Sequence, residues 1–257
     1  QPSAAMWIST ITSAYTPHWG IKHPWNSSAP AIDQQVSTFS KEAPPDSRRG
    51  LNQASTFTRD FRVTPEIKKN FRDRAVRAVR GLEKERSSFG YINDGSGKRY
   101  RAGVFFLLAG DLKRANETFD WFYEEFPDDI GEPVFHLYSS LAAHRQGDLV
   151  KARMRLLDTM LSNIFMLPHL VGQRLNAPDI WCQSNRHQES YLLEVEEFLQ
   201  EPTCEERLWI ASELKSSTFV TLKDGYLATF AELKDERDIA KRMSILGKWQ
   251  SLQAEHL

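Results

Sequence analysis

Cysteine is scarce. Cys182 and Cys204 are the two thiols in 257 residues. Two sulfurs exclude a disulfide-built scaffold and a multi-cysteine zinc module, and both are expected as reduced thiols. An excess of either charge is missing too. The 33 Lys and Arg meet 34 Asp and Glu, a formal net charge of −1. That balance argues against a generally basic nucleic-acid protein and against a polyacidic tail. No run of about eighteen apolar residues exists, so no membrane-spanning helix is expected. No apolar core follows a basic stretch near the beginning, so no leader peptide is read. The expectation is a cytoplasmic chain starting natively at Met6, with export after removal of a leader still open.

The signatures of common chemistry are also missing. There is no Gly-x-Ser-x-Gly elbow, no His-Glu-x-x-His and no dinucleotide fingerprint. The loop Asn93–Lys98 carries glycines before a lysine. A phosphate cradle needs Gly, four residues, then Gly-Lys-Ser/Thr. Gly90 lies too far upstream and Arg99 replaces the hydroxyl residue, so this segment reads as a flexible connection between helices. His136 and His144, eight residues apart, would stand about 12 Å apart on one helix, too far for one metal. Cys182 and His187 would pair only if the fold brought them together. His18 and His23 lack a third ligand nearby. No catalytic residue, cofactor or metal is therefore expected.

What is present begins with an unusual first part. Residues 1–62 are rich in Ser, Thr, Pro, Gln and Asn, and Pro17, Pro24, Pro30, Pro44 and Pro45 exclude a long helix. Trp7, Trp19 and Trp25 are foreign to a pure linker. This part reads as an extended or partly disordered arm that docks on its own domain or on a partner.

From Thr64 the periodicity changes to that of helices. Thr64, Pro65 and Glu66 make a helix start. Ile67, Phe71, Ala75, Val79 and Leu82 then form one apolar stripe over about five turns. The other faces of segment 66–86 carry Lys68, Lys69, Arg72, Arg74, Arg77, Arg80, Lys84 and Arg86. Lys68, Lys69, Arg72 and Arg80 make a candidate basic patch for phosphate or an acidic partner. The segment Asp111–Glu132 is acidic in contrast, and this contrast is expected to steer an oriented partner or self-association.

A repeat is present. Gly110-Asp111-Leu112-Lys113-Arg114-Ala115 and Gly147-Asp148-Leu149-Val150-Lys151-Ala152 share four of six positions, 37 residues apart. In each, Gly ends one helix by taking positive φ and Asp caps the next. Each unit is thus helix–turn–helix, and such a period marks stacked units. The first unit resembles a tetratricopeptide repeat at Gly103, Phe106, Ala115, Phe119 and Pro127, with Phe122 where a small residue is usual. In the second, Ser140, Ala152 and Leu156 fit, Ala143 replaces an aromatic and Pro168 comes late. The extra length against the family's roughly 34 residues is assigned to Asp128–Pro133.

The resemblance implies an all-α solenoid with its clearest repeats over 97–168. Weaker helices follow over 184–257, within a helical-repeat domain of 63–257. A helix is expected over Ser184–Leu199, another after the Thr203–Glu206 capping box, and a final pair over Thr218–Leu233 and Asp235–Leu252. Ala228, Ala231, Ala240 and Gly247 are the candidate crossing positions of that pair. The resemblance further implies a non-catalytic scaffold, adaptor or complex subunit. Its partner segment would lie on a groove of Tyr100, Val104, Leu107, Leu137, Leu141 and His144. An immunity-type inhibitor masking a toxin, and nucleic-acid binding through the basic helix 66–86, are the alternatives. A homo-oligomer is a further arrangement that the charge contrast allows.

Overall fold

The chain divides into two units, Gln1–Arg62 and Val63–Leu257. The computed structural model describes residues 64–182 and 184–256. The expected arm of residues 1–62, with its tryptophans and with His18 and His23, lies outside the described residues. Among the described residues there are ten α-helices and no strand. None of these helices is long and apolar enough to cross a membrane.

Helix α1 (Pro65–Phe89) opens as its residues dictate. Thr64 Oγ1 accepts from the Ile67 N–H at 3.4 Å, and Pro65 takes the first helical position. Its 25 residues make about seven turns rather than five. The stop is Gly90 in the left-handed region, φ 77°, not the end of the apolar stripe. Ala75 and Leu82 are buried, and α1 packs on α2 (Lys98–Leu108).

The connection between them is organised rather than loose. Asp94, at φ 41°, accepts from the amides of Lys98 and Arg99 at 2.8 Å each. Its own N–H donates to Glu85 at 2.8 Å. The amides that a phosphate would need are taken by the chain's own carboxylate.

Two hairpins follow: α2 with α3 (Leu112–Glu125), and α4 (Pro133–Gln146) with α5 (Leu149–Ser162). Gly110 and Gly147 turn at φ 76° and 87°. Asp111 and Asp148 then cap the next helices by accepting from Arg114 N–H at 3.3 Å and Lys151 N–H at 3.0 Å. The repeated Gly-Asp thus performs the same hinge twice. Small residues sit at both crossings. A Cβ on Gly103 would stand 2.6 Å from Phe119 Cε1, and Ser140 Oγ donates to the Ala152 carbonyl at 2.9 Å.

The hairpins are joined by an aromatic layer. Phe122 and Phe135 lie 4.3 Å apart between ring centroids, and Phe119 and Phe135 5.3 Å. Phe122, large where a small residue was expected, is fully buried. It fills the space between α3 and α4. Asn116 Nδ2 donates to the Ala142 carbonyl at 3.2 Å and ties the same two helices.

The C-terminal part departs from expectation. No continuous helix spans Ser184–Leu199. After α6 (Met166–Leu170) come a 3₁₀ turn at Asn185–His187, the short α7 (Tyr191–Glu194) and another 3₁₀ turn at Phe198–Gln200. The reason is tertiary. The buried Asn163 amide donates to the Arg186 and Gln188 carbonyls at 2.5 and 3.2 Å, drawing them out of a helical ladder. Tyr191, Leu192, Val195 and Leu199 are nonetheless buried. Helix α8 (Cys204–Glu213) starts with the expected Thr203–Glu206 capping box. Its buried apolar residue is Ile210, whereas Leu208 is exposed. Helices α9 (Ser217–Asp235) and α10 (Ile239–His256) make the final pair. Their close approach lies at Gly225, where a Cβ would meet Leu252 and Trp249. Gly247 faces open space and Ala228 and Ala240 are exposed, so these three are not crossing residues.

Candidate partner-binding site

The six groove candidates are not an open groove. Val104, Leu107, Leu137 and Leu141 are buried. Tyr100 is closed over as well. Its hydroxyl donates to Asp129 at 2.8 Å, and Arg99 reaches that hydroxyl at 2.9 Å and the Asp129 carboxylate at 2.7 Å. Burial, followed by the Asp129 charge, pushes the Tyr100 phenol above its ordinary range. His144 stacks on Trp209 of α8 at 4.4 Å between centroids. The chain's own C-terminal residues therefore cover this face of α4. Tyr138 Oη donates to the Phe198 carbonyl at 3.2 Å. Arg145 binds Glu206 at 2.8 and 3.1 Å and Glu201 at 3.2 Å. The large apolar side chains that do face solvent are elsewhere, among them Phe89, Tyr91, Ile130 and the α5 set Leu149, Val150 and Met154.

The charge contrast is in large part an internal pairing. Arg72 faces Asp111 at 3.9 Å and Arg86 pairs with Glu125, both across α1 and α3. Lys151 and Arg155 of α5 reach Asp120 at 3.0 and 3.9 Å. Arg186 holds the buried Glu132 at 3.0 Å. Two residues of the basic helix, Arg72 and Arg86, thus reach the acidic segment, at Asp111 and Glu125. All four candidate basic residues are exposed, and Arg72 also faces Asp111 at 3.9 Å.

A polar cluster links α3, α4 and α5. His136 Nε2 lies 2.8 Å from the Ile130 carbonyl and Nδ1 2.8 Å from the Tyr123 hydroxyl. A carbonyl accepts only, so the proton sits on Nε2 and Tyr123 donates to Nδ1. The Arg155 guanidinium lies over the Tyr123 ring, and burial lowers its pKa to about 10. Asp158 faces His136 and Arg155, and its pKa is raised by burial against the pull of those two. Gly131, at φ 67°, leaves room for the His136 ring and for no side chain of its own.

Among the described residues no group of three or more His, Cys, Asp or Glu side chains is placed to hold an ion. Cys182 Sγ meets the backbone carbonyl of His187 at 4.0 Å, not its ring. Burial pushes that thiol up and that imidazole down, so neither favours a thiolate–imidazolium pair. Cys182 and Cys204 are both free thiols.

Arg101 lies outside the expected basic patch of α1. Arg74 lies over the Phe105 ring of α2, with its guanidinium carbon 4.3 Å from the centroid, and Arg101 donates to the Gly97 carbonyl at 3.2 Å, but only the α1 residues carried a periodicity signal. The convergence of two helices is invisible in either one alone. No protein-family model, curated protein or solved structure matches the chain.

Proposed function

We propose that this chain is a non-catalytic protein–protein interaction scaffold, an adaptor or complex subunit built on tetratricopeptide-like hairpins. The observation that carries the reading is the twice-used Gly-Asp hinge, with a small residue at each crossing: Gly103 against Phe119 and Ser140 against Ala152. Stacked hairpins of this kind present extended surfaces to partners. The partner is expected on the outer surface, because the inner-face candidates are consumed by the chain's own packing. The nucleic-acid alternative loses support where Arg72 and Arg86 are already matched by Asp111 and Glu125.

The test is affinity capture from native extract with the full chain as bait, followed by reconstitution from purified components. A saturable complex of constant stoichiometry supports the scaffold. Recovery of nuclease-sensitive material alone, or turnover of a substrate by the purified chain, would contradict it.

A further inference from the structure

The course of α1 and α3 brings two helix ends to one edge. Arg72 faces Asp111 at 3.9 Å, and Arg86 pairs with Glu125. Each acid follows its base by the same interval of sequence, so the two helices run parallel and in register. Glu125 is the last residue of α3, and Phe89, the last of α1, lies about one turn beyond Arg86. Phe89 and Tyr91 therefore stand level with the turn that follows α3. The Asp129 N–H closes that turn by donating to the Phe126 carbonyl at 3.0 Å, and Asp128 is exposed within it. Arg99 holds the Asp129 carboxylate at 2.7 Å.

This edge is apolar and unbalanced in charge. Phe89 is 66% exposed and Tyr91 63%, with 6.3 Å between their ring centroids. Ile130, next to Asp129, is 78% exposed. Large apolar side chains grouped at a surface mark a docking face, and aromatic ones are enriched at protein interfaces. Most carboxylates of the segment Asp111–Glu132 are matched: Asp111, Glu117, Asp120, Glu125, Asp129 and Glu132 each have a basic partner. Glu124 and Asp128 are exposed and have no ion pair among the described residues. The C-terminal end of α3 adds its own negative dipole, and no basic residue stands in its last turn. The surplus negative charge thus gathers at the same end as the two exposed rings.

We propose that the adjoining ends of α1 and α3 dock a segment of a protein partner that carries large apolar side chains beside Lys or Arg. This rests on the scaffold reading and names the chemistry of the partner. The apolar side chains of that segment lie on Phe89, Tyr91 and Ile130, and its cations meet Glu124 and Asp128. A cation also gains from the face of an exposed aromatic ring. The same charges disfavour nucleic acid, whose phosphates would face two carboxylates.

The experiment is fluorescence anisotropy with the full chain. The probes are two short labelled peptides, one of alternating Lys and Leu and one of alternating Glu and Leu. The Lys–Leu peptide is expected to bind, and the Glu–Leu peptide to bind at least about tenfold more weakly. The Phe89→Ala, Tyr91→Ala double variant and the Glu124→Lys, Asp128→Lys double variant should each weaken the Lys–Leu peptide at least about tenfold. Glu255→Lys, on the last helix, should change it by less than about twofold. All these side chains are exposed, so folding is expected to survive; helical circular dichroism and melting check each variant, and either double variant decides without the other. Absence of binding, equal binding of the two peptides, an unchanged affinity in a folded double variant, or an equal loss from Glu255→Lys would overturn the site. Self-association of the free chain that vanishes in the Phe89→Ala, Tyr91→Ala variant would overturn it in favour of a second copy. A partner captured by the native chain and held equally well by that variant would also overturn it, while leaving the scaffold reading intact.

Discussion

Gly103 and Phe119 are in such close contact that an added Cβ would stand 2.6 Å from the ring carbon Cε1. Phe119 is fully buried and cannot swing away. Gly103→Ala is therefore expected to destabilise the protein by about 1–3 kcal/mol through overpacking, although alanine favours a helix by about 1 kcal/mol. Urea denaturation of the full chain measures this. A higher midpoint in the variant would show that the α2–α3 crossing is not as tight as described.

The second hairpin crosses through a hydroxyl instead. Ser140→Ala removes the 2.9 Å bond to the Ala152 carbonyl at a cost of about 1 kcal/mol. Ser140→Val adds bulk to the same crossing and should lose about 1–3 kcal/mol. The ordering Ser140, Ala, Val in unfolding midpoint is the readout, and an equal loss for both variants would point to the hydrogen bond alone.

Arg145 joins the second hairpin to the C-terminal block and carries a pH dependence. Burial opposes ionisation of Glu206, but hydrogen bonds from Arg145 and the Thr203 N–H outweigh it and hold its pKa below the ordinary 4.5. The unfolded chain then binds the proton more readily than the folded one. This stabilisation is full above about pH 4.5 and is lost as pH falls through the folded value. Glu201 shares Arg145 but moves the other way, because burial raises its pKa. Glu206→Gln is accordingly expected to cost more stability at pH 7 than Glu201→Gln, and to flatten the acid limb of a stability–pH curve. Arg145→Ala, which leaves the Glu206 carboxylate buried without its guanidinium, should lose about 3 kcal/mol.

The last helix pair separates two glycines that look alike in sequence. Gly247 has open space where a Cβ would be, so Gly247→Ala should gain about 0.5–1 kcal/mol from helix propensity. Gly225→Ala must displace Leu252 and crowd Trp249, so it should gain less or lose stability. Thermal melting of the two variants side by side decides this.

Local signals were legible and long-range ones were not. Thr64–Pro65, Thr203–Glu206 and the two Gly-Asp hinges each act within four residues, where side chain and backbone settle the outcome together. The segment 184–199 has helical spacing of its apolar residues, yet Asn163, some twenty residues upstream, takes its carbonyls. Asp94 looked like part of a loose glycine loop because its partners, the first amides of α2, carry no sequence mark. The groove residues matched a family pattern, but nothing in that pattern foretold that Trp209 would lie on His144. The basic stripe was plain on α1, but its division between Arg72 and Arg86, paired with Asp111 and Glu125, and Arg74, lying over Phe105 of α2, needed the packing of the helices.

The most direct test is light scattering on the full chain mixed with its captured and purified protein partner. A complex of constant stoichiometry with the native chain is the predicted result. Free components at every mixing ratio with the native chain would contradict it.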